Sequence, residues 1–332
     1  MIKEIYEQLV SNKAEIEKQL QFLDDIRNLE IEKKVKEKWV KYSPKEATGK
    51  FIAIDGGEWV KDLRSGTLYV VDAEVIKAEG YKITKLDARG FIGVLKLKSG
   101  DAAKELVSLI MQLLELKLAY KYGNEADYIL LDGSLSKKIG DREFKEKDST
   151  LDDIDINNDK IYALEESNEA LMHKYLIAEN HVVISHLIEK YKDKLLWIAK
   201  NSRSTELFDE NISDIALLDT LTSETGYTKP LEKSINGKNL LSLMATKKLD
   251  NMKYYSSYVR LSKGGRVLKI DMFTNDIEKI VDLLSTISIR GYPYPLLKVH
   301  TDVKITRQDR ERIQQILNIK KITSEWWPNQ LS

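Results

Sequence analysis

Apolar runs of strand length recur along the chain, and each stops at polar or turn-forming residues. Phe51-Ile52-Ala53-Ile54 runs into Asp55-Gly56-Gly57, Tyr128-Ile129-Leu130-Leu131 into Asp132-Gly133-Ser134, and Leu195-Leu196-Trp197-Ile198-Ala199 into Lys200-Asn201-Ser202-Arg203. Continuous apolar runs of this length read as strands buried on both faces, so these polar residues are expected where inner strands leave the core. Two more strands are expected at Leu68 to Ala73 and Phe91 to Leu97, with turns at Ser65-Gly66 and Ala88-Arg89-Gly90. Short links make the first three strands an antiparallel meander. After Ser99-Gly100-Asp101, a candidate cap, residues 102 to 121 spell a helix apolar over most of its girth. A strand reached through a helix tends to lie parallel to its neighbour, which places residues 128 to 132 parallel to the first strand. Residues 1 to 42 carry instead a stripe of Ile2, Ile5, Leu9, Leu20 and Leu23 at helical spacing. They predict one or two amphipathic helices that pack onto the neighbouring domain or against a dimer partner. With a turn at Ser43-Pro44, the chain divides into an N-terminal helical region, 1–45, and a domain over 46–332 with helical insertions.

Three meandering strands, a helix and a fourth strand parallel to the first have the order of the RNase H-like core. The expected fold class is therefore α/β: an RNase H-like mixed sheet flanked by helices, with the N-terminal amphipathic region and a C-terminal strand and helix extension. That fold gathers carboxylates from its first strand, first helix and fourth strand, and Asp55, Glu115 and Asp132 occupy those places. Singly they are ambiguous, because Asp-Gly is a common turn dipeptide. At about 100° per residue, Glu105, Ser108, Gln112, Glu115 and Ala119 share one stripe of the helix, and Lys117 and Lys121 another. The lysine stripe is expected in solvent. The glutamate stripe faces either solvent or a polar cleft, and a metal would relieve the cost of burying its carboxylate. Together the three acids suggest a site for hard divalent cations.

A second constellation follows Gly291. Pro293 and Pro295 predict an extended approach to a strand in which Val299, Thr301, Val303 and Ile305 face one way and Lys298, His300, Asp302 and Lys304 the other. His300 is a candidate metal ligand or proton shuttle with Asp302 supporting it; the alternative is the solvent face of an edge strand. His173, His181 and His186 fall in a helical region without metal-site spacing and read as ordinary helix residues. Lys200, Ser202 and Arg203 suit phosphate oxygens, and Lys137 and Lys138 extend the same rim. Tyr292, Tyr294, Trp326 and Trp327 either stack on bases or pin the terminus to the core.

Composition narrows the classes. A chain of 332 residues with 42% hydrophobic content can bury a large core, and 53 basic against 53 acidic side chains leave no global field for nucleic acid, only local clusters. The absence of cysteine excludes disulfides, thiolate zinc sites and cysteine nucleophiles. With no leader-like or membrane-length apolar run, a cytoplasmic protein without membrane contact is expected. The 32% charged content is of the hyperthermophile kind.

The motifs FIAIDGG, LLELKLA, YILLDGSLSKKIG, LLWIAKNSRSTELF, RGYPYPLLKVHTDV and the terminal EWWP resemble, in the same order, those of the NurA family of archaeal DNA nucleases. The resemblance runs from about residue 51 to residue 328. It implies a homodimeric nuclease using Mn²⁺, or Mg²⁺ in its place, with one or two ions per site. It further implies degradation of single- and double-stranded DNA from 5′ ends, endonuclease action on single strands, and partnership with the hexameric HerA ATPase in end processing for recombinational repair. The family's active-site positions carry over to Asp55, Glu115, Asp132, Tyr292 and His300, of which Asp55, Glu115, Asp132 and His300 are the implied metal ligands. Residues 141–170 and 223–251 match no motif. Two rivals remain from the residues alone. An actin or sugar-kinase-like phosphotransferase would use Asp-Gly-Gly as a turn against ATP phosphates but needs a second glycine-rich loop, for which LDGSLS is a poor candidate. A catalytically silent DNA clamp or adaptor would have little use for a full carboxylate set.

Overall fold

The computed structural model describes residues 3–20, 29–140, 156, 160–165, 168–240 and 243–319. Trp326, Trp327, Ile2, Leu23 and most of 141–159 lie outside the described residues. Helices α1 (Lys3–Ser11) and α2 (Lys13–Leu20) lead to α3 (Leu29–Lys38) and β1 (Trp39–Lys41). The apolar stripe of α1 buries nothing, and Ile5, Tyr6, Leu9 and Val10 are exposed, so it is not packed on this chain's own domain.

The RNase H-like core is formed by β2 (Lys50–Leu63), β3 (Gly66–Glu79) and β4 (Lys82–Leu95) in an antiparallel meander. Helix α4 (Gly100–Tyr122) then leads to β5 (Tyr128–Asp132), parallel to β2, and β6 (Leu195–Ala199) lies parallel to β5. Four later or earlier strands widen the sheet beyond β6 to give the order β1-β7-β9-β10-β6-β5-β2-β3-β4: β7 (Gly226–Thr228), β9 (Lys253–Arg260), β10 (Leu268–Met272) and β1, with β8 (Leu231–Ser234) paired on β9. The motif-free segment 223–251 thus supplies two strands. The meander strands are far longer than their apolar runs. β2 continues through Asp55-Gly56-Gly57, and the chain reverses at Gly80-Tyr81, while the expected turn at Ala88-Arg89-Gly90 lies inside β4.

Helices cover both faces of the inner strands, which is why those strands are apolar without alternation. Ile52, Ile54, Ile129, Leu131 and Trp197 pack towards α4 and α6 (Glu169–Tyr191), across α5 (Leu135–Ile139). Phe51, Ala53, Leu130, Leu196 and Ile198 pack instead with Ile280, Val281 and Leu284 of α8 (Ile277–Thr286) and Leu296 and Val299 of α9 (Tyr294–Asp302). A smaller core joins α3 to α7 (Asp214–Leu221) through Val35, Leu217 and Leu218, and α10 (Arg307–Ile316) follows α9.

Two expectations are corrected. The stretch around His300 is a helix, because Pro293 and Pro295 sit at its start, where a missing N–H costs nothing, and Leu296, Val299 and Val303 bury at helical spacing. Lys117 is not solvated either. It is 8% exposed and its Nζ lies 2.7 Å from Oε1 of the fully buried Glu179 on α6. Lys121, farther along, reaches Asp87 at 3.2 Å and stays partly exposed.

Candidate active site

Asp55 sits in the middle of β2, 5% exposed and paired across the ladder with Glu74 of β3. The Asp-Gly-Gly run is therefore not a turn; its glycines admit helices from opposite faces of the sheet. A Cβ on Gly56 would stand 2.6 Å from Met111 Cγ and 3.1 Å from Glu115 Oε1 of α4. A Cβ on Gly57 would stand 1.9 Å from the Val303 carbonyl oxygen, just past α9. Both approaches bring side chains to Asp55. Glu115, 3% exposed, arrives on one face, and His300 arrives on the other with Nδ1 2.6 Å from Asp55 Oδ2.

Asp132 completes the set at the end of β5, the strand parallel to β2. The chain beyond it is held by Gly133 N donating to Ile198 O at 3.0 Å and Leu135 N donating to the buried Asp271 Oδ2 at 2.9 Å. Tyr292, in the short hairpin of β11 (Ser288–Ile289) and β12 (Tyr292–Pro293), points its hydroxyl at Asp132 Oδ1, 3.5 Å away. Lys200, leaving β6, puts Nζ 3.8 Å from Asp132 Oδ2 and 4.8 Å from the Tyr292 ring centre. The glutamate stripe of α4 faces the cleft: Gln112 donates to the Lys138 carbonyl at 2.9 Å, and Lys138 Nζ lies 2.5 Å from Glu115 Oε2.

The acids disturb one another. Burial, then the charge of Asp132, pushes the Asp55 carboxyl up, and His300 and the Gly56 amide pull it back. Burial pushes Glu115 up as well; Lys138 opposes this, while Asp55 and Asp132 add to it. Tyr292 is held well above the usual phenol range by burial and by Asp132 and Asp55, so it remains a neutral hydroxyl.

This donor chemistry fits a hard divalent cation. Positive charge between these carboxylates would relieve the burial and mutual repulsion that push Asp55 and Glu115 up, and an oxygen-rich set with one imidazole nitrogen suits Mn²⁺ or Mg²⁺ better than zinc. Among the described residues no three acidic or histidine groups close round one point; Glu115 is paired with Lys138 and His300 with Asp55.

The other sequence candidates fall outside this cluster. Lys137 is exposed, and its neighbour Lys138 is the lysine that reaches the acids. Ser202 accepts from Ser204 N at 3.2 Å, and Arg203 is exposed; both follow Lys200 at the strand end. Asp302 is ion-paired with Lys298 and lies about 200° round α9 from His300, so the shared strand face that made it a supporting residue does not exist. Sequence reasoning also passed over Asp72 and Glu74. Both point to one face of β3, Asp72 accepting from Gly57 N at 3.0 Å and Glu74 from Lys85 Nζ at 2.6 Å. The signal was present, since two acids at alternate positions of the apolar run Tyr69 to Ile76 need a reason to be there. Burial, with Glu74, Asp309 and Asp55 nearby, pushes Asp72 up to about 6.

The architecture and motifs recur in known proteins. The NurA domain family matches residues 49–305. The chain is 58% identical over 334 aligned residues, the whole of both proteins, to the DNA double-strand break repair nuclease NurA of Sulfurisphaera tokodaii. Its structure superposes on the crystal structure of the NurA nuclease from Sulfolobus solfataricus with a TM-score of 0.83 at 36% identity, covering 99% of this chain and 100% of that one. A more distant NurA, crystallised with dAMP and manganese, shares the fold at a TM-score of 0.64 and 18% identity, over 95% of this chain and 97% of that one. The domain match, the full-length identity and the superposition agree: the chain belongs to the NurA family.

Proposed function

We propose that this protein is a manganese-dependent DNA nuclease that hydrolyses phosphodiester bonds during double-strand break repair. In its finer form the reading is a 5′–3′ exonuclease on single- and double-stranded DNA and an endonuclease on single strands. It would act in the cytoplasm as a homodimer, with a hexameric ATPase of the HerA type feeding DNA to it. The observation that carries the chemistry is that Asp55, Glu115 and Asp132, from β2, α4 and β5, lie near enough to act on one another's charge, with His300 bonded to Asp55. No described helix is long and apolar enough to cross a membrane.

Asp55, Glu115, Asp132 and His300 would hold the ions. Bound manganese would supply positive charge against the scissile phosphate and lower the pKa of an attacking water. With Nδ1 of His300 engaged by Asp55, Nε2 is the ring nitrogen left to take a proton or to serve as ligand. Tyr292, a neutral donor aimed at Asp132 from 3.5 Å, would steady that carboxylate, and its ring and the Lys200 ammonium form a rim where a nucleotide base and phosphate can rest. Lys137, Ser202 and Arg203 would extend that rim along the backbone of the DNA. The phosphotransferase alternative loses its footing, because Asp55-Gly56-Gly57 is strand and offers no phosphate-binding turn.

The test is a labelled-DNA assay with manganese, magnesium or no metal, on substrates blocked at either end. Cleavage should require metal and stop in Asp55→Asn and Asp132→Asn proteins that still fold. Undiminished manganese-dependent cleavage by either variant would sink the assignment; ATP turnover without cleavage, or DNA binding without nicking, would favour the rivals.

A further inference from the structure

Among the described residues, Lys138 is the one cation set within the acid cluster by two separate attachments. Its stem passes 3.5 Å from the position of a Cβ on Gly133, next to Asp132, and its backbone carbonyl accepts from Gln112. Its head meets Glu115 at 2.5 Å, with the two side chains only 14% and 4% exposed. Gln112 and Glu115 lie one turn apart on α4, so that helix grips both ends of the lysine. A surface lysine has no need of such a mounting.

We infer that Lys138 is a resident counter-ion of this site, a positioning residue that holds Glu115 until a divalent cation displaces it. The inference rests on the metal-site reading above. An ammonium 2.5 Å from Glu115 Oε2 occupies one of the oxygen's coordination directions, so an ion that uses this oxygen must first break a largely dry ion pair. The lysine thereby keeps three crowded carboxylates compatible with a folded, metal-free protein and weakens metal binding in exchange. His300 does not duplicate the role: it engages Asp55 from the opposite face, and its side chain is 52% exposed. Lys200 does not either, standing 3.8 Å from Asp132 at the outer rim.

The experiment measures Mn²⁺ affinity by calorimetry, and melting temperature with and without Mn²⁺, in the full chain and in K138M, K138R, E115Q and the K138M/E115Q double variant. Removing one member of a buried pair leaves the other uncompensated, so metal-free K138M should melt several degrees lower and recover more than wild type when Mn²⁺ is added. Its Mn²⁺ dissociation constant should fall about tenfold, K138R should stay near wild type, and K138M should bring no gain in the E115Q background. Unchanged or weaker Mn²⁺ binding by folded K138M overturns the inference while leaving the nuclease reading intact. A wild-type protein that binds no Mn²⁺ overturns both.

Discussion

Replacing Gly57 with alanine tests whether the site depends on a close approach between β2 and the end of α9. The added Cβ would lie 1.9 Å from the Val303 carbonyl oxygen, whereas real Cβ contacts do not fall below 3.0 Å. The backbone must therefore part by about 1 Å, a gap no side-chain rotation can open. Val303 is 3% exposed and its amide donates to Val299 O at 3.1 Å, so it cannot retreat alone. Either α9 shifts, carrying His300 away from Asp55, or β2 bends and takes Asp55 with it. Overpacking of this kind costs about 1–3 kcal/mol, and a misplacement near 1 Å in a catalytic group costs about a hundredfold in rate. Gly57→Ala should fold with a melting temperature several degrees lower and cleave DNA about a hundredfold more slowly, the loss falling in kcat.

Two controls separate the contact from generic glycine replacement. Gly80→Asn, in the β3–β4 turn where a Cβ meets nothing within 4 Å and φ is +61°, should keep its full rate. Gly56→Ala meets first the flexible Met111 side chain at 2.6 Å, so it should cost less stability than Gly57→Ala while still disturbing Glu115 at 3.1 Å. Single-turnover cleavage alongside thermal melts reads both quantities. A Gly57→Ala protein that cleaves at the wild-type rate would refute the argument that this approach sets the His300–Asp55 geometry.

Three other outcomes are expected. Lys117→Met strands the fully buried Glu179, and chemical denaturation should show a loss of about 3–5 kcal/mol with the specific activity of the folded fraction unchanged. Asp72 has a folded-state pKa of about 6, above its ordinary 3.8, so it binds a proton more tightly in the fold and its contribution to stability declines as pH rises from about 4 through about 6. Asp72→Asn should therefore stabilise above pH 6 by about 1–2 kcal/mol, allowing for solvent screening of a half-buried group, and have no effect near pH 4; melts across that range check it. His181 has the opposite dependence: burial pushes it down to about 4, so it is neutral in the fold and stability is lost as pH falls from about 6.5 to about 4. His181→Gln, which can still donate to the Ile139 carbonyl now 3.0 Å from Nε2, should flatten the melting profile over that interval.

Residues 51–54 and 128–131 announced themselves because both faces of the inner sheet are covered and such strands carry unbroken apolar runs, and 102–121 because the helix between them is apolar over most of its girth. That is enough to fix the order β2, α4, β5 and hence which three acids can meet. The ends of the meander strands were hidden, because β4 is an edge strand with one face open to solvent, and its alternation mixes with turn-like residues at Ala88-Arg89-Gly90. Around His300 two periods competed: Val299, Thr301, Val303 and Ile305 alternate, while Leu296, Val299 and Val303 repeat helically. Only burial against Phe51, Ala53 and Leu130 decides for the helix. The partner of Lys117 was beyond reach for a related reason, since Glu179 lies 62 positions away on a helix whose orientation no local pattern sets.

The two sides of the site are built differently, and the difference follows from the sheet having a helix on each face. Glu115 is locked: α4 is buried in the larger core, Gln112 and Lys138 fix the cleft side of the helix, and Asp271 anchors the start of the short helix that carries Lys138. His300 reaches Asp55 from 245 positions away through its Nδ1, with half its surface open. A group proposed only to hold an ion gains from a fixed backbone, even where, as at Glu115, the ion must first displace a lysine from the carboxylate. A group that exchanges a proton must meet water on each turnover. Burying His300 as deeply as Glu115 would close its path to solvent. The open setting of His300 suits the proton-exchanging role proposed for it, and the Gly57–Val303 approach keeps that exposed ring within hydrogen-bonding distance of Asp55.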